Sequence, residues 1–507
     1  MTYKGIQAEQ RELLMQYGLK LGVEKDFITD LWYPSLDQLQ DILKKDVEPY
    51  VDEWDHNEVT LDKNTGKVIF PDSLMRAFKK IVSDPKGFRL YESLIPEQYG
   101  GAALPALVES AFVEDVSLYD TSLNVTIGLA ITIIEALSLY PTPYLAEKYF
   151  PRLKEGTPGF VAFTEPQAGS NLRNIKTTVT EDGDFFIAKG SKIFISNGGF
   201  GEIGILLAKD GEKGTSAFIV DTDMKDADDS SKSGIRATRI EKKMGIHGSP
   251  TAALDVNVVI PKENLLGQRG KGYQTVLERL LGMRMGVAMQ AVGVAERAYQ
   301  LASTYAKERI QFDKPIGTFP GVANKLKGME LNLSRMRRLG YEASFVLSKF
   351  QMGQLIKTKY LKTTPEEDQA LKEFSDQYNR GILNLTISKA KMFNSEVGWM
   401  ITDDCLQIHG GNGFIRDYKV EKLVRDFRIL RIYEGTSEIQ EYIVNRGKEV
   451  GTASSMSQLM DIAMKKSNDA GPMFSTLDYS DFFFRRFPSV MDAFLDENGD
   501  PIFLFDN

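Results

Sequence analysis

A chain of 507 residues is too long for one ordinary core and predicts two to four domains. With 42% hydrophobic and 26% charged residues it has the balance of a globular protein, and a net charge of -8 removes the basic excess of a general nucleic-acid binder. No apolar run reads as the ~20 residues of a spanning helix. The lone Cys405 rules out an intrachain disulfide, and His56, His247 and His409 lie far apart, so no metal site is expected. The opening MTYKGIQAEQRELL lacks a basic stretch followed by an apolar core. No secretory signal is expected, and a reducing cytoplasm fits the cysteine usage.

In chain order, residues 1–40 form a mixed N-terminal extension with no clear periodicity. Residues 41–158 predict a helical domain, with apolar positions at three- and four-residue steps in SLDQLQDILKKDVEPYVDEW. The turn-rich IPEQYGG (95–101) interrupts it, and Pro141 and Pro143 close the helix-forming run from Ala106 to Leu139. Residues 159–271 change texture to short Val/Ile/Phe/Thr runs with turns between them. KTTVT-EDGD-FFIAKG reads as a hairpin about Asp182-Gly183, and GILLAKD, SAFIVDTD and AALDVNVVI read as further strands. A small antiparallel barrel or sandwich is expected there. Residues 272–451 predict an antiparallel four-helix bundle, with helices over Tyr273–Arg309 and about 318–352, 366–396 and 397–408. In the C-terminal extension, 452–507, the Phe482, Phe483, Phe484 cluster predicts packing on the body. The fold class is thus α+β multidomain: helical N-terminal domain, middle antiparallel β barrel or sandwich, C-terminal four-helix bundle.

Four segments carry candidate chemistry. Phe163-Thr164-Glu165-Pro166-Gln167-Ala168-Gly169-Ser170 leaves a β-like run and offers backbone N–H groups and hydroxyls that suit a flat polar ring or a phosphate, or simply make a turn. Lys192-Ile193-Phe194-Ile195-Ser196-Asn197-Gly198-Gly199 ends a strand in a glycine turn. In Gln407-Ile408-His409-Gly410-Gly411-Asn412-Gly413-Phe414 the glycines permit close backbone approach to a ligand, or a helix C-cap. It is not the dinucleotide GxGxxG after a strand. In Arg431-Ile432-Tyr433-Glu434-Gly435-Thr436-Ser437-Glu438-Ile439-Gln440, an apolar approach carries Glu434 to the edge of a helix. Desolvation there would raise its pKa to suit a base for a carbon acid. A surface Glu beside a helix N-terminus fits the same residues.

IPEQYGG, FTEPQAGSN, KIFISNGG, KMGIHGS, YAKERIQFDKPI, QIHGGNGF and RIYEGTSEIQ follow one another in family order from about residue 90 to 450. Together they strongly resemble the FAD-dependent acyl-CoA dehydrogenase family, nearest in the PQAGSN and KMGIHGS variants to its larger bacterial branch. The resemblance implies FAD as cofactor, held by Phe163, Thr164, Gly169, Ser170, Phe194, Ile195, Ser196, Gln407, Gly410, Gly411, Thr436 and Glu438. It places Arg309 and Phe312 on the FAD of a neighbouring subunit, hence a homodimer or homotetramer. Ser170, Arg284 and Gly435 match substrate-contacting positions, and Glu434 matches the catalytic base.

Leu281, Pro320 and Glu438 depart from common family residues, the first at a CoA contact and the others at flavin contacts. One subgroup carries its base at the position of Met283, which cannot serve. The implied chemistry is removal of the α-proton by Glu434 with hydride transfer from the β-carbon to flavin N5. The thioester oxygen is held by the Glu434 N–H and a flavin ribityl hydroxyl, and the product is a trans-2-enoyl-CoA. An electron-transfer flavoprotein is the expected acceptor. An oxygen-using acyl-CoA oxidase is the alternative enzyme, and an idle nucleic-acid-binding relative the alternative outside enzymes.

Overall fold

The computed structural model describes residues 3–62, 67–359 and 379–450. The expected packing of the tail and of Phe482–Phe484 lies outside the described residues.

The N-terminal part is helical: α1 (Tyr3–Leu21), α2 (Tyr33–Ile42), α3 (Val51–His56), α4 (Asp72–Val82), α5 (Ala106–Tyr119), α6 (Thr121–Leu139) and α7 (Pro143–Lys154). Pro143, read from the sequence only as ending the preceding helix, also opens α7 at its first turn, after the Thr142 N-cap whose side chain accepts from the Leu145 N–H. Helix α1 was not legible because polar Glu9 and Gln10 are buried along with Leu13, Leu14 and Tyr17, which blurs the apolar stripe. Helix α6 corrects another expectation. By length and composition alone it is apolar enough to cross a membrane, with a mean hydropathy of 1.7, but 78% of that window is buried inside the protein. Its interspersed Thr, Ser and Asn residues hid the run from inspection.

The middle part is one sheet built from β1 (Gly159–Ala162), β2 (Thr178–Asp182), β3 (Phe185–Ser196), β4 (Ile203–Lys209), β5 (Thr215–Asp221), β6 (Ile235–Ile240), β7 (Thr251–Pro261) and β8 (Leu265–Leu266). The strand order is β8-β5-β4-β2-β3-β7-β6, with β1 paired to β4. Pairing is mostly antiparallel, and the Asp182–Phe185 hairpin register confirms the turn at Asp182-Gly183. Two pairings are parallel, β1 with β4 and the contact of Thr178 with Lys209, so the sheet is mixed. Its core holds Phe160, Phe186, Phe218, Val220, Leu254, Val256 and Val258. Gly159 lets β1 approach α6: a Cβ there would lie 2.8 Å from the Ala130 Cα.

The C-terminal part contains α8 (Gly272–Glu308), a small hairpin of β9 (Ile310–Gln311) and β10 (Lys314–Pro315), α9 (Pro320–Lys359), α10 (Arg380–His409), α11 (Val420–Phe427) and α12 (Ser437–Val450). Residues 397–408 are therefore not a separate helix; they continue α10. No Gly–Pro break separates the two expected segments, and buried Val397, Ile401 and Cys405 extend the same apolar face. The buried Asn394 side chain of α10 donates to the carbonyls of Ala288 on α8 (3.0 Å) and Met336 on α9 (3.1 Å), which fixes three bundle helices together.

Two units gather the described residues: those within 3–36, 105–118 and 284–450 in one, and those within 37–104 and 119–283 in the other. In the first unit α1 joins the bundle through buried charge. Arg337 on α9 donates through Nη1 to Glu9 (2.7 Å) and through Nε to Glu114 (2.7 Å), and also pairs with Glu296.

Candidate active site

Glu434 lies in the short link between a 3-10 turn ending at Arg431 and helix α12. Glu396 of α10 fixes both ends of that link. It accepts two hydrogen bonds from Arg431, Nε to Oε1 at 2.8 Å and Nη2 to Oε2 at 2.7 Å, and a third from Ser437 Oγ at 2.5 Å. Between these anchors the backbone turns through two left-handed residues, Glu434 (φ 56°) and Gly435 (φ 93°). A non-glycine residue there is strained by roughly 1–3 kcal/mol and persists only when its surroundings over-determine it. Here they do. The Glu434 carbonyl accepts from Arg284 Nε (3.0 Å) and Gln440 Nε2 (3.1 Å). The Gly435 carbonyl accepts from Lys391 Nζ (2.7 Å) and Gln440 Nε2 (3.1 Å). A Cβ at Gly435, already disfavoured by φ 93°, would lie 2.6 Å from Gln440 Nε2 and push it off the two carbonyls it bonds. Asn384 in turn orients Arg284, accepting from its Nη1 at 3.0 Å, and the Tyr433 hydroxyl donates to Gln290.

The Glu434 side chain is half-buried, and its Oε2 is shielded from solvent with no hydrogen-bond partner among the described residues. Its backbone N–H likewise has no acceptor among them. Burial pushes the carboxyl up to about 7, against the opposing pull of Arg284 and Lys391. Lys391, fully buried on α10, is pushed down to about 7 by burial and by Arg284, with Glu434, Glu396 and Glu438 acting in the opposite sense. A carboxyl raised and an amine lowered toward the same value, beside a carboxylate oxygen with no partner among the described residues, is the pattern that marks candidate acid–base sites.

The same unit carries the other sequence-predicted residues of the C-terminal part. Gln407 is exposed near the end of α10, and Gly410 and Gly411 follow with open space where a Cβ would stand. Arg309 begins the β9–β10 hairpin, and Phe312 at its tip is 86% exposed with φ 51°. Tyr305, one turn before Arg309, stacks on His409 at 4.2 Å and accepts at its hydroxyl from Asn412 at 2.9 Å, which brings the hairpin and the glycine segment to one end of the bundle. Thr436 is half-buried and Glu438 exposed at the start of α12.

In the other unit, β1 leads into Phe163, Thr164, Gly169 and Ser170, and β3 carries Phe194, Ile195 and Ser196. The Thr164 carbonyl accepts from the Ile193 N–H at 3.0 Å, so the two segments lie side by side. A bulge between Lys192 and Ile195 gives Phe194 a φ of 58° and turns its ring outward, 61% exposed, while Ile195 is buried. Gly169 and Ser170 are exposed.

Buried charge, which sequence inspection did not single out, shapes this surface. Glu165 accepts from Lys192 Nζ (2.8 Å) and from the N–H groups of Lys176 (2.6 Å) and Thr177 (3.0 Å). Lys192 also donates to the carbonyls of Phe163 (3.1 Å) and Leu207 (2.8 Å). Burial raises the Glu165 carboxyl, but these donors outweigh it and bring it down to about 2. Asn197 donates to the carbonyls of Thr126 (2.8 Å) and Gly159 (2.9 Å), joining the glycine turn to α6 and β1. No local signal marked Lys391 and Glu396, which sit among Lys389, Ser388, Asn394 and Ser395 in TISKAKMFNSEVGWM.

The chain runs from a helical part through a mixed sheet to a helical bundle, and the bundle carries a strained glutamate whose carboxyl is raised toward neutrality. Family models for the N-terminal, middle and C-terminal domains of acyl-CoA dehydrogenases match residues 35–157, 161–259, and 270–362 with 369–448. The chain belongs to the acyl-CoA dehydrogenase family and is an oxidoreductase acting on CH–CH groups. It is similar to 3-(aryl)acrylate reductase of Clostridium sporogenes, at 33% identity over 80% of this chain and 95% of the relative. The structure of butyryl-CoA dehydrogenase from Megasphaera elsdenii is 30% identical with a TM-score of 0.69, covering 83% of this chain and 98% of that one. An acyl-CoA dehydrogenase from Bacillus anthracis complexed with FAD is 29% identical with a TM-score of 0.68, covering 86% of this chain and 67% of that one.

The family is FAD-dependent. The residues present fit such a group: an outward-facing Phe194 ring beside an edge of exposed small residues in one unit, and open backbone at Gly410 and Gly411 in the other. Pro320 opens α9, where a missing N–H costs nothing, which explains how a proline stands at that departure.

Proposed function

We propose that this chain performs FAD-dependent α,β-dehydrogenation of an acyl-CoA thioester to a trans-2-enoyl-CoA, with Glu434 as the α-proton base. The carrying observation is the Glu434 carboxylate: one oxygen shielded and unpartnered, the group raised to about 7, and its backbone locked by Arg284, Lys391 and Gln440. In this reading Oε2 takes the proton from the α-carbon. The free Glu434 N–H donates to the thioester oxygen and stabilises charge as it develops there. Arg284 and Gln440 keep that N–H and the carboxylate aimed together. A bound flavin would supply the acceptor for the hydride that leaves the β-carbon. By the motif resemblance, its binding residues are Phe163, Thr164, Gly169, Ser170, Phe194, Ile195, Ser196, Gln407, Gly410, Gly411, Thr436 and Glu438, with Arg309 and Phe312 reaching the flavin of a second copy. Ser170 and Gly435 contact the acyl-CoA, as does Arg284 by the motif resemblance, although its Nε and Nη1 are engaged by the Glu434 carbonyl and Asn384, and the electrons leave to an electron-transfer flavoprotein. The resemblance in the motifs and the family match support these roles, in a cytoplasmic homodimer or homotetramer.

The similarity to the Clostridium sporogenes reductase favours a second reading, the same reaction run in reverse. Glu434 in its protonated form would then deliver the α-proton to an enoyl thioester, because each microscopic step is shared by both directions. Anaerobic mixing of FAD-loaded protein with a panel of saturated acyl-CoAs tests the main reading by bleaching of the flavin. Bleaching by no saturated acyl-CoA, with reoxidation of the reduced protein by an enoyl-CoA, would select the reverse direction. Oxygen uptake without an added acceptor would select the oxidase.

A further inference from the structure

Lys391 has no role among the sequence-predicted residues, yet its side chain is completely buried and ends against the catalytic link. A lysine is rarely buried without a task, since a desolvated ammonium is costly unless it is paired. Its Nζ donates to the Gly435 carbonyl at 2.7 Å, and that carbonyl belongs to the second of two consecutive left-handed residues. The other donor to the same carbonyl, Gln440 Nε2 at 3.1 Å, is shared with the Glu434 carbonyl. Lys391 is thus the undivided tether of the strained turn. It is also one of two cations acting on Glu434, and the other, Arg284, is already engaged with the Glu434 carbonyl and with Asn384.

We propose that Lys391 is a positioning residue for Glu434: its ammonium tethers the Gly435 carbonyl, so holding the base in its left-handed conformation, and its charge favours the ionised form of that base. The inference rests on Glu434 being the base. The charges facing the pair come from four elements: Arg284 on α8, Glu396 on α10, Arg431 in the link and Glu438 on α12. Glu396 is neutralised by its two-point pairing with Arg431. The directions of both titrations agree with this arrangement, since Glu434 holds the lysine's pKa up and Lys391 holds the glutamate's down. A loss of the lysine should therefore move the base to higher pH and also loosen its aim.

The test is single-turnover flavin reduction across pH in the FAD-loaded full chain, comparing wild type with Lys391→Met, Lys391→Gln and Glu434→Gln. The Met variant removes donor and charge at similar length. The Gln variant keeps a donor without charge, and provides the measurement should the Met variant not hold FAD. The expected result is a pH midpoint moved to higher pH by about one unit in both Lys391 variants, with the limiting rate above that midpoint about tenfold lower in Met than in Gln. An unmoved midpoint overturns the proposal, whether or not the rate falls, because disturbed packing alone lowers a rate without shifting a titration. Glu434→Gln separates the two claims. If it reduces flavin at the wild-type rate, the base assignment fails. If it is inactive while both Lys391 variants keep the wild-type midpoint, only the role of Lys391 fails.

Discussion

Arg284 Nε donates to the backbone carbonyl of Glu434 at 3.0 Å across 150 positions of sequence. The contact is to the backbone of the proposed base and not to its carboxylate, so the arginine fixes where Glu434 points. Replacing Arg284 with Gln should leave the bundle folded. It should raise the pH midpoint of flavin reduction relative to wild type, because a cation that favoured ionisation of Glu434 is gone. A charged hydrogen bond of this kind contributes ~1.5–3 kcal/mol, or about 10- to 100-fold in rate if the turn loses its aim. A pH-rate profile of the variant with an unshifted midpoint and full rate would remove Arg284 from the site.

Glu165 should behave as a structural charge. Replacing it with Gln leaves Lys192 buried with one partner fewer, a loss of ~3–5 kcal/mol for a broken buried pair. Its folded carboxyl lies near 2 against an ordinary 4.5. The stability it contributes is therefore present above 4.5 and lost as pH falls toward 2. Denaturant titrations of wild type and Glu165→Gln should differ at pH 7 and converge near pH 2. Equal stability at pH 7 would contradict the reading.

The 243–249 loop makes the opposite linkage. His247 Nδ1 lies 3.0 Å from the Asp55 carbonyl and 2.9 Å from its carboxylate, and Nε2 lies 2.9 Å from the Lys243 carbonyl. These partners only accept, so they favour the doubly protonated ring. The Asp55 side chain is the main cause of its raised pKa. Its stabilisation is full below 6.5 and fades as pH rises through the elevated folded value. Asp55→Asn should lower the melting temperature more at pH 6 than at pH 9, and a loss that grows with pH would refute the linkage.

Phe312 tests assembly. Its ring is 86% exposed at the tip of the β9–β10 hairpin, more than any other large apolar side chain named among the described residues. If it reaches the flavin of a second copy, Phe312→Ser should weaken both self-association and FAD retention. Light scattering of dilute protein, together with the flavin-to-protein absorbance ratio, checks both. An unchanged oligomer that keeps its flavin would remove this contact.

Much of this was legible because local signals and tertiary demands agree. Asp182-Gly183 turns a hairpin, and the Gly435 that permits a left-handed turn stands beside the base it serves. What escaped was set by contacts distant in sequence. Glu9 and Gln10 hid α1 because their buried partners, Arg337 and Asp115, lie far along the chain. Lys391, Gln440 and Lys192 look like solvated side chains until the fold buries them against carbonyls. The parallel pairing of β1 with β4 depends on a crossover that no local pattern encodes.

The central claim rests on one carboxylate, and Glu434→Gln tests it most directly. The substitution keeps the side chain's size and removes the basic oxygen, so the variant should still fold, hold FAD and bind acyl-CoA. General-base assistance is worth ~10²–10⁴-fold, and abstraction from carbon lies at the upper end of that range. Mixed with acyl-CoA in a stopped-flow instrument, the variant should leave the flavin oxidised on the timescale in which wild type bleaches. Near-normal bleaching by Glu434→Gln would contradict the account and leave the strained turn without its proposed purpose.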